Sequence, residues 1–264
     1  GEAFRLLKLA MQSPRFDPEP MERARRTALA SLEQERLDPG SIGWLRMAQL
    51  LYGPNRYAIP VKGTPEAVAR ISADDVRAYR KRVFARDNLR VAVAGDIDAA
   101  TLATLLDDVF AMLPAKSELR PAPAIAAAAV QHQAIAMELP QTIVLFGNSV
   151  PTLDARQSLA ANVFNQILGA QFTGRLFTAL RDREGLVYSI GTGRGRLVQS
   201  ETFYGTFGAA PGNAARAMAV TMSEIQRLVS EGPSEEELRD AKAAFRGGYY
   251  LDTTTVDADS LITQ

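Results

Sequence analysis

The sequence predicts an α+β protein made of two duplicated α/β domains, each a sheet packed against helices. Three observations carry that expectation. Segments with apolar residues every three or four positions are interspersed with short runs that alternate residue by residue, the periods of amphipathic helix and half-buried strand. The stretch PAKSELRPAPAIAAAA (114–129) has three prolines and no large apolar period, which is the character of a linker. DPEPMERAR (17–25) resembles SEEELRDAK (234–242), each opening a helix after a turn. The expected division is a first domain over 1–116, a linker over 117–129 and a second domain over 130–264.

Taken in order, Ala3, Leu6, Leu7, Ala10 and Met11 share one helical face that needs something to pack against. The final LDTTTVDADSLITQ carries neither turn nor cap, so both ends read as cuts. A second helix follows Pro18, with Met21, Ala24, Ala28 and Leu32 in step, and Asp38-Pro39-Gly40 breaks it. A third runs over about 41–51. Two short helices then start at good caps: Thr64 before Pro65, and Ser72 with Asp75 in a capping-box pattern. LRVAVAG (89–95) alternates like a strand, and Leu102, Leu105, Leu106, Val109 and Leu113 mark the next helix. Beyond the linker, VQHQAIAMEL (130–139) and TIVLFGN (142–148) are expected as strands. A helix through Ala160, Val163, Phe164, Ile167 and Leu168 follows, then a shorter one near 173–182. Strands around 186–197 and 201–210, a long helix through Met218, Met222, Ile225 and Val229, and a helix from Ser234 complete the chain.

Composition narrows the chemistry. The 264 residues hold one histidine and no cysteine, so thiol nucleophiles and disulfides are excluded, and a catalytic zinc site has too few nitrogen or sulfur donors. Thirty basic residues balance thirty acidic ones, which leaves no net positive field to draw the chain onto nucleic acid. No apolar run reaches membrane-spanning length. GTGRGR (191–196) lacks the helix that a phosphate-binding loop needs after its last glycine, and is expected instead as an edge strand or hairpin whose glycines permit close backbone approach. His132, between Gln131 and Gln133, is expected in solvent, and without a GxSxG motif or a second histidine there is little support for serine hydrolysis.

The segment GAQFTGRLFTALRDREGLVYSIGTG (169–193) says more. Its helix ends near Arg183, Gly185 allows a sharp turn, and strand begins near Leu186, so Arg181 and Tyr188 flank a helix-to-strand corner. A guanidinium that donates to peptide carbonyls and a phenol that donates to an oxyanion suit acyl chemistry on a peptide. Spacing alone favours the plainer reading, with Arg181 as a favourable charge at a helix C-terminus and Tyr188 as a strand-face filler.

In several ordered blocks the chain resembles the pitrilysin/insulinase-type zinc metallopeptidases, a superfamily that includes mitochondrial processing peptidase. The blocks are LLKLAMQSPRF, ERARRTALASLEQERLDPGS, YGPNRYAIPVKGTPEAVARISADDV, NLRVAVAGDID, PQTIVLFGNSVP, TGRLFTALRDREGLVYSI and EGPSEEELRDAKAAF. The resemblance implies repeated domains with largely antiparallel sheets and an active site split between halves. In active members one half binds zinc through HxxEH and a later glutamate, and the other supplies an arginine and a tyrosine. The latter pair falls on Arg181 and Tyr188, implying that Arg181 holds a substrate carbonyl and Tyr188 steadies the oxyanion. The later glutamate falls on Ser31, a poor zinc ligand, with Glu33 on the wrong helical face and Glu35 one turn away.

The expectation is therefore a zinc-less subunit or domain, without a metal of its own, that binds unfolded peptide and completes the site of a zinc-bearing homologous partner, in a bacterial cell envelope. Two alternatives stand beside it: a structural or assembly module with the same fold and no catalytic role, and an intact zinc peptidase whose HxxEH lies upstream.

Overall fold

A computed structural model describes residues 1–121, 123, 125, 129–169 and 172–254, with side chains to residue 248. Ten helices occur among them: α1 Glu2–Gln12, α2 Pro18–Leu37, α3 Pro39–Tyr52, α4 Pro65–Arg70, α5 Ala73–Val83, α6 Ala99–Phe110, α7 Ala155–Leu168, α8 Arg175–Phe177, α9 Ala214–Glu231 and α10 Glu235–Thr254. Three strands, β1 Thr142–Val150, β2 Val187–Arg196 and β3 Glu201–Ala209, form one antiparallel sheet in the order β1-β3-β2. The fold is thus α+β with an antiparallel sheet. Part of the expected linker, and most of the final LDTTTVDADSLITQ, lie outside the described residues.

The chain forms two compact units, each discontinuous in sequence. One joins 1–32 to 64–121 and to 248–254; the other joins 33–63 to the described residues of 122–247. In the first, the caps written in the sequence are made. The Ser72 hydroxyl accepts from the Asp75 amide while the Asp75 carboxylate accepts from the Ser72 amide, closing the box at the start of α5. Asp98 accepts from the Ala100 and Thr101 amides at the start of α6. Arg25 of α2 donates to the carbonyls of Val68, Ala69 and Ile71, supplying donors to the end of α4, where helix carbonyls run out of them. The buried residues are few, among them Leu32, Val68, Ala85, Val109 and Leu113.

Two expected strands are corrected. Residues 89–95 and 130–139 form neither helix nor strand, with Val91, Val93, Val130, Ile135 and Met137 exposed. Alternation prepares a segment for a ladder, but a strand exists only where a neighbour accepts and donates its backbone hydrogen bonds. His132 lies in the second of these segments and is exposed, as expected.

The second unit is built on the sheet. Along β3, Phe203, Phe207 and Ala209 face a core that also contains Leu168 of α7, Leu176 of α8 and Ala217 and Leu228 of α9. The alternate residues face α3: Tyr204 meets Trp44 edge-on at 4.9 Å, and the hydroxyls of Thr202 and Tyr52 are hydrogen-bonded. A Cβ at Gly43 of α3 would lie 2.7 Å from Leu145, so glycine there lets the helix approach β1. β2 is an edge strand, as expected for the glycine-rich run, and a Cβ at Gly193 would lie 2.5 Å from the Tyr204 ring.

Candidate functional site

The corner that joins α8 to β2 carries two backbone irregularities, one beside each residue singled out from the sequence. After Phe177 the helix widens to a π-turn over Thr178–Arg183, where the Glu184 amide donates to the Ala179 carbonyl five residues back at 3.2 Å. Such widenings are rare, and they recur at functional sites. Gly185 then takes φ +61°, a conformation that favours glycine, and the Leu186 amide donates to the Leu180 carbonyl at 2.8 Å, closing the end of the helix.

The second irregularity is a β-bulge. Val187 stands opposite Ala209 and Ser189 opposite Gly208, which leaves Tyr188 as the extra residue. Packing requires it. Val187 and Ile190 both belong to the core, yet they are three residues apart, which the two-residue period of a strand does not allow without an insertion. That spacing is the sequence signal by which the bulge could have been found.

Leu176, Ala179, Leu180, Leu186 and Val187 are buried beneath the corner and fix its backbone. Arg181 and Tyr188 lie on its outer side, Tyr188 with 63% of its surface exposed. Their neighbours are engaged: Arg183 donates to Glu224 at 3.2 Å and Arg216 to Glu184, both connections running to α9. Among the described residues neither the Arg181 nor the Tyr188 side chain has a hydrogen-bond partner, and no bond joins them to each other. The Arg181 guanidinium rests over the Phe177 ring at 5.1 Å, and Phe177 meets Phe172 edge-on at 5.3 Å. The stacked guanidinium keeps its in-plane N–H groups available. The corner can thus offer several N–H donors and one phenol to a ligand.

Residues near the expected metal position do something else. Ser31 is half-buried on α2. The Glu33 carboxylate accepts two hydrogen bonds from Arg36, which hold it below its ordinary pKa, and Glu35 is ion-paired with Lys62. Among the described residues no three of His, Cys, Asp and Glu gather so as to hold a metal ion. A neutral hydroxyl and two carboxylates already bonded to cations do not fit a zinc ligand set.

The family model described as the peptidase M16 inactive domain matches residues 70–245. The chain belongs to this family. Its membership agrees with the resemblance to the pitrilysin superfamily drawn from the sequence blocks. The chain is 24% identical over 258 residues to a Helicobacter pylori protein named as the non-peptidase homolog YmxG, covering 97% of this chain and 60% of that one. Its fold matches a crystal structure of a peptidase M16 inactive domain from Pseudomonas fluorescens with TM-score 0.88 at 23% identity, over 93% of this chain and 60% of the other. It also matches a chain of complex III2 from Candida albicans with TM-score 0.80 at 18% identity, over 98% and 64%. The chain therefore spans about 60% of the length of the first relatives it matches. No helix among the described residues is long and apolar enough to cross a membrane.

Proposed function

We propose that this inactive-domain homologue binds unfolded peptide and lends Arg181 and Tyr188 to the active site of a zinc-bearing homologous partner. The observation that carries the reading is the construction of the corner. A π-turn and a bulge both occur where they leave an arginine and a tyrosine side chain exposed and, among the described residues, without hydrogen-bond partners, on a buried apolar base. In this reading the Arg181 guanidinium donates to a backbone carbonyl of the peptide and fixes its register. The Tyr188 hydroxyl donates to the carbonyl oxygen as negative charge develops on it, an interaction that strengthens toward the transition state. Neither residue activates water, so the chain is not a peptidase by itself. The duplicated-domain architecture and the division at 117–129 belong to the same proposal.

The zinc content of the full-length protein tests it. Purified without the partner, the protein is expected to hold no stoichiometric zinc and to leave unfolded peptides uncut. Full zinc loading would instead favour an intact peptidase with its HxxEH upstream.

A second reading, an assembly module without a catalytic role, is favoured by the fold likeness to a chain of complex III2. It predicts that the partner is fully active alone.

A further inference from the structure

The neutral chain concentrates positive charge in one place. Residues 77–90 hold six arginines and lysines against one aspartate, in a sequence whose 30 basic residues equal its 30 acidic ones. Cations in the last turn of a helix are ordinary, and Arg80, Lys81 and Arg82 occupy that turn of α5. Arg80 and Lys81 also border a cavity of about 430 Å3 in the first unit, to which α5, the α1–α2 loop and the turn after α6 contribute. None of the residues lining it is acidic. Arg80 is committed to the fold, its guanidinium donating to the Gln12 carbonyl at 3.4 Å and to that of Met11, where α1 runs out of donors. Arg77 is shared: it donates to the exposed Asp74 carboxylate at 2.7 Å and lies 5.8 Å above the Phe16 ring. The Lys81 ammonium is exposed and has neither a hydrogen-bond nor an ion-pair partner among the described residues. The apolar part of the lining includes Phe16, Phe84 and Met112, the last two with 43% and 79% of their surface exposed. Phe16 takes φ +52°, and among the described residues no other non-glycine residue has a positive φ. A bulky side chain rarely adopts that conformation, which persists where surrounding contacts impose it.

We infer that this cavity docks an acidic segment of a protein partner. One large apolar side chain of the segment enters against Phe16, Phe84 and Met112, and a flanking carboxylate meets Lys81 and the open edge of the Arg77 guanidinium. Charge complementarity selects the sign of the partner, because the lining offers cations and no anion. The concave shape selects its form. A cleft of this volume takes in an anchoring side chain and its flanks, whereas a flat anionic lipid surface would touch only the rim. Removing the exposed Met112 and Phe84 surfaces from water favours the apolar anchor, and the flexible thioether of Met112 adapts to its shape. The site is independent of Arg181 and Tyr188, which belong to the other unit.

The test uses the full-length protein and three fluorescently labelled unstructured peptides. The first has a leucine flanked by aspartates and glutamates, the second a serine in place of the leucine, and the third asparagines and glutamines in place of the acids. Wild type is expected to bind the first roughly tenfold more tightly than either of the others, and less tightly as salt is raised. Lys81→Glu is expected to weaken the first peptide roughly tenfold and to leave the third unchanged. Met112→Ser is expected to weaken the first and to spare the second. Arg239→Glu, which makes the same change in net charge at an exposed position of α10, is expected to leave all three unchanged. Equal binding of the three peptides by wild type, no binding of the first, or a loss in Lys81→Glu no larger than that in Arg239→Glu overturns the site. Binding to phosphatidylserine vesicles that Lys81→Glu abolishes, without binding of the first peptide, overturns the protein partner in favour of a lipid surface.

Discussion

Two arginines, one before β2 and one within it, are in opposite circumstances. In the π-turn that leads into the strand, the Arg181 side chain is exposed, stacked on a ring and, among the described residues, without a hydrogen-bond or ion-pair partner. Toward the other end Arg194 lies within the unit, its guanidinium donating to the Ser158 carbonyl at 2.8 Å, to the side chains of Ser158 and Asn162 and to the buried carboxylate of Glu201. Glu201 also accepts from the Leu153 amide at 3.3 Å. The Arg194 fork is used up holding α7 to β2 and β3, so it has nothing left to offer a ligand. The difference teaches that availability, and not residue type, marks a candidate site: of two arginines near one strand, the fold consumes one and presents the other.

This contrast predicts large stability effects at Arg194 and small ones at Arg181. Arg194→Ala leaves the buried Glu201 carboxylate with only the exposed Arg196, 3.9 Å away, as a cation, and is expected to cost about 3 kcal/mol in urea unfolding. Adding Glu201→Gln should recover part of the loss. A cost at Arg194 no larger than that at an exposed arginine would erase the contrast.

A smaller effect is expected at Arg175, which donates to Glu237 at 2.6 and 2.8 Å. These hydrogen bonds, helped by the Ser234 amide, hold the Glu237 carboxyl at about 2, below its ordinary 4.5. A depressed pKa stabilises the fold above the unfolded value, and that contribution disappears as the carboxyl is protonated. On the order of 2–3 kcal/mol should therefore be present above about pH 4.5 and be lost as pH falls toward 2. Urea midpoints followed across that range should show the loss in wild type and a flatter profile in Glu237→Gln. Equal slopes in the two proteins would remove Glu237 as the source. The smallest effect is reserved for the presented arginine: Arg181→Ala should change stability by no more than about 0.5 kcal/mol, since no contact below the corner depends on it.

Much of this was legible in the sequence. The capped helices, the long α9 and the three strands of the sheet follow from period and cap residues, because each is decided within a short window. The segments 89–95 and 130–139 had the right alternation, but no hydrogen-bonded neighbour among the described residues makes them strands. Arg194 was hidden for a related reason. Within GTGRGR it looks like one solvated charge among glycines, and only the β2–β3 register, which sets it opposite Phe203 and diagonal to Glu201, reveals its burial. Spacing put Arg181 and Tyr188 at the corner but favoured a plain structural role for them, and only the family resemblance gave them a proposed one. The π-turn and the bulge beneath them arise from packing Leu180, Leu186, Val187 and Ile190 into one core, which local propensity does not record.

The direct measurement is proteolysis by the full-length protein combined with its zinc-bearing partner, comparing wild type with Arg181→Ala and Tyr188→Phe. Folded variants that lower turnover by roughly a hundredfold, as loss of an oxyanion donor does, are the expected result. Turnover unchanged by both substitutions, or equal from the partner alone, would contradict the account.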